Sequence, residues 1–172
     1  MIDIVRFSVD MKNSWVKQLG FHEFLHYKNL HIILGWNEEK CLQILKRGKI
    51  DLLLCMETPG GKDPLHWRKS GLNHLLLTLA RQHDTAVGFC LSNILEQKGV
   101  KRSQLLGRMM QNVRWCRTYK VRMVLCTFAQ DIFGLRSASD LESFGRVIGM
   151  TPAEAKKALQ FQKRKKDIQI HS

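Results

Sequence analysis

The sequence predicts an α/β fold built on parallel strands. Three observations point there. From residue 30 onward, short apolar runs of strand length alternate with amphipathic helical stretches. The runs are apolar at nearly every position, as strands buried on both faces are. The chain of 172 residues is long enough for one domain with a real core, yet shorter than the roughly 250 residues of a complete βα barrel.

Residues 2–8 and 21–27 are the early strand candidates, and residues 30–36 (LHIILGW) form the first clear run. Asn37 then caps a helix, with Glu38 and Glu39 in a first turn whose dipole favours negative charge. Cys41, Leu42 and Leu45 follow at helical spacing, and Lys46-Arg47-Gly48 closes the helix. Residues 50–56 (IDLLLCM) make the next strand, followed by a loop with Pro59-Gly60-Gly61 and Asp63-Pro64. Leu72, Leu75, Leu76, Leu79 and Ala80 draw one apolar helical stripe. Residues 86–91 (AVGFCL) return to strand. A long helix over residues 101–119 turns Leu105, Leu106, Met109, Val113 and Cys116 inward, and Arg108, Arg114 and Arg117 beside that stripe read as a solvated face. Residues 121–128 (VRMVLCTF) are a further strand. Ser139-Asp140-Leu141-Glu142 and Thr151-Pro152-Ala153-Glu154 have the form of capping boxes that open two helices, with residues 147–150 a strand candidate between them. Roughly seven strands suit a small or incomplete βα barrel or an open doubly wound sheet. Residues 1–160 read as one domain, and residues 161–172, with Lys163-Arg164-Lys165-Lys166, as a basic C-terminal tail.

Charge narrows the function. Lys and Arg number 28 against 15 Asp and Glu, a net charge of +13. Residues 87–172 carry +10 of it and residues 1–86 only +3. Such a balance points to a polyanion partner, most often nucleic acid. No apolar run nears the length of about 18 residues that crosses a bilayer, and the first residues lack signal-peptide order, so the expectation is a cytoplasmic protein without a membrane partner. The five cysteines form no CxxC pair, which excludes a zinc ribbon or redox motif and reads as reduced, buried thiols. GxGxxG and GxxxxGK[ST] are absent.

His22-Glu23-Phe24-Leu25-His26 spells HExxH, a zinc-protease signature when it lies on a helix. The aromatic surroundings predict a strand instead, which puts His22, Phe24 and His26 on one face. Asp10, Glu57 and Asp131 fall where strands end, the position of barrel active sites, but such residues more often cap loops. No metal-binding or catalytic set emerges. The basic residues cluster better. Lys62, Arg68 and Lys69 belong to the loop after one strand, Lys98, Lys101 and Arg102 to the loop after the next, and Arg136 to the loop after residues 121–128. A parallel βα fold brings such loops to one rim. Lys62, Arg68, Lys69, Lys101, Arg102 and Arg136 are therefore the candidate nucleic-acid-binding residues, and Trp67 beside Arg68 is a candidate base-stacking or packing residue. For Arg136, pairing with Asp131 or Asp140 is the structural alternative.

Gly71-Leu72-Asn73-His74, Ala86-Val87-Gly88-Phe89, Tyr119-Lys120-Val121-Arg122, Leu135-Arg136-Ser137 with Asp140-Leu141, and Gly145 with Ile148-Gly149-Met150 resemble, in that order, the archaeal ribonuclease P protein component 3 family. Lys62-Asp63-Pro64 is similar to that family's loop before its Asn/Asp-His helix. The resemblance implies a small or incomplete TIM-like βα barrel related to the polymerase-and-histidinol-phosphatase class. It implies a non-catalytic subunit of the ribonucleoprotein that matures the 5′ end of precursor tRNA. Its implied partners are ribonuclease P RNA, protein component 2, the other protein subunits and precursor tRNA, with Mg²⁺ held by the RNA and no cofactor in this chain. Two departures stand out: the chain before residue 30 is short for the early βα units, and Cys90-Leu91-Ser92-Asn93 lacks the basic residue that family members often carry there. The rival reading is a small metal-dependent phosphoesterase of βα-barrel fold.

Overall fold

The computed structural model describes residues 1–35, 37–57, 62–66 and 68–162. Among them run six strands: β1 (Ile2–Val5), β2 (Glu23–His26), β3 (Ile32–Leu34), β4 (Leu52–Leu54), β5 (Ala86–Cys90) and β6 (Met123–Cys126). β1 pairs with β2, and β3-β4-β5-β6 form a second sheet, every pairing parallel. The sheets join just past β6, where Phe128 N–H donates to the Ile4 carbonyl at 3.0 Å and Arg6 N–H to the Ala129 carbonyl at 2.8 Å. The arc thus runs β3-β4-β5-β6-β1-β2, in cyclic chain order, without the reversal that defines a doubly wound sheet. β2 and β3 share no ladder, so the architecture is the incomplete TIM-like barrel.

Alternation along each strand explains why the runs are apolar throughout. Leu53, Val87, Phe89 and Leu125 face the helices, whereas Leu52, Leu54, Ala86, Cys90, Val124 and Cys126 fill the inside of the arc with Ile4 and Phe128. Each fully buried Leu contributes about 1.5–3 kcal/mol. The interior is narrow: a Cβ on Gly88 would come within 2.4 Å of Leu54 Cδ1, so a larger residue there would have to push the Leu54 side chain aside.

The helices α1 (Ser14–Gln18), α2 (Glu38–Lys46), α3 (His74–Gln82), α4 (Leu91–Glu96), α5 (Gly99–Tyr119), α6 (Ala138–Val147) and α7 (Pro152–Ala158) cover the outside. Asn37 caps α2 by accepting from Lys40 N–H, and Asn73 caps α3 by accepting from Leu76 N–H. Thr151 and Glu154 form the predicted capping box of α7.

Three sequence readings need correction. The capping box of α6 is Ser137 with Asp140, two residues ahead of the Ser139 box, because the Asp140 carboxylate reaches back to Ser137 N–H at 3.0 Å. Residues 147–150 are not a strand: Val147 ends α6, and Gly149 turns the chain at a φ of 95°. Arg108 is not on a solvated face but 5% exposed. Four of the five HExxH residues, Glu23–His26, form β2, the strand that the aromatic context predicts, and His22 lies just before it. Trp67 and residues 163–172, most of the predicted tail, lie outside the described residues. No helix among the described residues is long and apolar enough to cross a membrane.

Candidate nucleic-acid interface

The loop after β4 is clamped onto α5. Arg108 Nε donates to Asp63 Oδ1 at 2.8 Å and its Nη1 to the Glu57 carbonyl at 3.3 Å. Gln111, one turn on, accepts from Arg68 N–H at 3.1 Å and donates from Nε2 to the Arg68 carbonyl at 2.8 Å. Asn112 Nδ2 donates to the Ser70 carbonyl at 3.0 Å. Burial alone would raise the Asp63 pKa, but the Lys69 N–H and the Arg108 guanidinium outweigh it and hold the carboxyl below its usual value. Arg68 lies flat on α5: a Cβ on Gly107 would meet its Cζ at 2.6 Å.

The candidate RNA-binding residues divide into two kinds. Lys62, Lys69 and Lys101 are exposed. Arg68 is half-exposed, its Nη1 3.8 Å from Asp63. Arg102 donates from Nε to the Gln97 carbonyl at 2.7 Å and so closes the end of α4. Arg136 Nη1 donates to the carbonyls of Phe133 at 2.9 Å and Leu135 at 2.6 Å. It pairs with neither Asp131, which accepts from Phe133 and Gly134 N–H, nor Asp140, which serves the α6 cap. Arg117 grips Glu154 bidentately, both contacts at 2.8 Å. This hydrogen-bonded guanidinium holds the Glu154 carboxyl down to about 2. Arg114 is exposed.

A second region lies at the C-terminal ends of the strands. A cavity of about 270 Å³ is lined by Arg6, Tyr27, Gly35, Cys55, Asn93 and Phe128, with Leu34, Ser92 and Glu96. Every strand contributes, either by its last residues or by the segment just after it. Arg6 lies over the Phe128 ring at 5.5 Å from its centroid, and Tyr27 meets Phe128 edge to face at 6.0 Å. Cys55 and Phe128 hold left-handed φ of 57° and 52°, a strain of about 1–2 kcal/mol each. Cys55 Sγ lies 3.3 Å from Cys90 Sγ, which lies 4.0 Å from Cys126 Sγ. Cys41, Cys90, Cys116 and Cys126 are free thiols. Glu57, two residues after Cys55, is wholly buried, with neither carboxyl oxygen in a hydrogen bond of normal geometry. Burial pushes Glu57 up to about 7, with its own N–H and the nearby Asn93 amide offsetting part of the shift. Of the other strand-end carboxylates, Asp10 accepts from Lys12 N–H and Asp131 caps its own turn, so both stabilise loops.

The model of the family described as RNase P subunit p30 matches residues 13–165. This chain belongs to that family. It is 29% identical over 137 residues to ribonuclease P protein component 3 of Methanosarcina acetivorans, an overlap of 80% of this chain and 54% of the relative. To the protein of the same name from Thermococcus kodakarensis it is 33% identical over 102 residues, 59% of this chain and 44% of the relative. The chain spans about half the length of the curated relatives it matches. Among solved structures, a chain of the cryo-EM structure of archaeal ribonuclease P with mature tRNA shares the fold at a TM-score of 0.76 and 19% identity, covering 94% of this chain and 87% of that one.

In this p30 chain the sequence reading missed Arg6 and the Arg108–Asp63 clamp. Arg6 follows β1 directly, at a strand C-terminal end, so that position was its signal. The clamp had no local signal, since it joins residues 45 positions apart.

Proposed function

We propose that this chain is a protein subunit of ribonuclease P, the ribonucleoprotein endonuclease that matures the 5′ end of precursor tRNA. What carries the reading is the p30 family match along residues 13–165. The RNA cuts the phosphodiester with its own Mg²⁺, and the protein offsets phosphate repulsion. Lys62, Lys69 and Lys101 supply the freely solvated cations, and Arg68, Arg102 and Arg136 add charge while they hold neighbouring groups in place. Lys101 and Arg102 stand in the first turn of α5 rather than in a loop. The subunit works in the cytoplasm beside ribonuclease P protein component 2 and the other protein subunits. The barrel mouth sets a single carboxylate, Glu96, beside an arginine, a thiol and aromatic rings, a donor set that suits a hard divalent cation poorly and so favours this reading over a phosphoesterase built on one.

The test is reconstitution. Adding the chain with protein component 2 to the RNA subunit should raise cleavage of precursor tRNA at low Mg²⁺. No gain in a particle that is otherwise complete overturns the proposal.

A further inference from the structure

We propose that the barrel mouth receives one unpaired nucleobase of a bound RNA strand. The inference rests on the ribonuclease P reading for its RNA, and on the cavity for everything else. The mouth is where a βα barrel gathers its functional groups. At about 270 Å³ it falls just below the roughly 300 Å³ at which pockets begin to hold drug-sized ligands, so it fits one ring system. Its walls are mixed in a way that suits a base. Leu34, Cys55, Tyr27 and Phe128 are apolar or aromatic, while Arg6, Ser92 and Glu96 offer donors and acceptors, Glu96 with one oxygen already accepting from Gln130 Nε2 at 3.3 Å.

Charge decides between base and phosphate. Arg6 and Glu96 stand at the same cavity with opposite sign, so a phosphate drawn to one is repelled by the other. A neutral heterocycle meets no such conflict. Its exocyclic amino group suits the Glu96 carboxylate, and its carbonyl or ring nitrogen suits Arg6. Arg6 also offers a flat cationic surface already layered on Phe128. Guanidinium planes and tyrosine rings are the side chains on which unstacked RNA bases settle. The arginine forms no ion pair among the described residues, so a ligand need not displace a carboxylate to reach it.

The probe is a five-nucleotide single-stranded RNA carrying 2-aminopurine at its centre, compared with the same strand abasic at that position. Binding to the full chain should quench the 2-aminopurine fluorescence. The abasic strand should bind roughly tenfold or more weakly, the size of one stacking contact. Arg6→Gln and Tyr27→Ala should each abolish that difference, and Tyr27→Phe should keep it. Lys101→Ala should weaken both strands alike. Arg6 is exposed, so its variant carries the test if Tyr27→Ala fails to fold. The inference falls if both strands bind equally, if neither binds, or if the difference survives in Arg6→Gln. It also falls if 2-aminopurine riboside monophosphate alone is quenched at concentrations as low as the strand, since the mouth is then a free-nucleotide site. Cleavage by the reconstituted particle is a separate reading: stimulation that persists in Arg6→Gln with no base effect sinks this inference and leaves the function standing.

Discussion

The clamp on α5 and the barrel mouth use the same side chain to opposite ends. At the clamp, Arg108 is buried and held by Asp63 and a backbone carbonyl, so its charge is consumed inside the molecule. At the mouth, Arg6 stands exposed over an aromatic ring with no carboxylate paired to it among the described residues. Arg117 and Arg122, though partly exposed, are likewise paired, with Glu154 and Asp84. The surplus of +10 in residues 87–172 therefore overstates what an RNA can reach there. An arginine's partner, rather than its place in the sequence, decides whether it is a brace or a contact.

The sharpest way to break this contrast is Arg108→Met. Removing Arg108 strips Asp63 of its nearest cation and leaves it the Lys69 N–H and Arg68 at 3.8 Å, so the expected loss in urea unfolding is about 3 kcal/mol, the lower end for a broken buried pair. A loss under about 1 kcal/mol would mean that α5 and the loop after β4 hold together without the pair.

The next effect is in pH. Glu57 and Asp3 both have folded-state values raised to about 7 by burial. Between their unfolded values near 4 and about 7, the unfolded chain loses these protons while the folded one keeps them. Stability should therefore fall as pH rises through that window and level off above it. Glu57→Gln should remove part of the fall, by about 3 kcal/mol at most. Melting curves from pH 4.5 to 8 check this, and a rising profile would refute it. Glu154 has the opposite sign. Its pKa is depressed to about 2, so its contribution is present above about 4.5 and fades as pH falls towards 2. Arg117 is partly exposed, so Glu154→Gln should cost only about 0.5–1 kcal/mol at neutral pH.

The smallest effects separate braces from contacts on the rim. Lys62→Ala and Lys101→Ala should each lower the slope of log affinity against log salt by about 0.7–0.9, with an unchanged melting temperature. Arg136→Ala should lower the melting temperature as well, because its guanidinium holds two loop carbonyls. An unchanged slope with that loss of stability would remove Arg136 from the RNA contacts.

Much of the barrel was legible because strands apolar on both faces and capped helices announce themselves locally. Asn37, Asn73 and Thr151 cap where such residues should. The short α1 and α4 had no such signal: α4 follows β5 without a break, and neither helix has a side-chain cap. The box at Ser139 misled because Ser137 and Asp140 offer the same pattern two residues earlier, and Ala138 is anchored there by its N–H donating to the Leu19 carbonyl at 2.8 Å. On the rim, the sequence marks which residues are basic, but only the fold tells that Arg102 and Arg136 bind their own backbone.

The Asp3 carboxylate accepts from Thr127 N–H at 2.7 Å and from the Thr127 hydroxyl at 2.6 Å, across 124 positions of chain. This contact bears on the order of assembly. Contacts of such separation repay their loop-closure entropy late in folding. During synthesis β1 and β2 emerge before β3–β6, yet the Thr127 neighbour of Asp3 is not made until more than a hundred further residues have followed. The β3–β6 sheet can close on sequential neighbours in the meantime. On that account the β1–β2 pair should dock on β6 after the β3–β6 sheet has formed, and until then the edge of β1 that faces β6 stays open to wrong pairing.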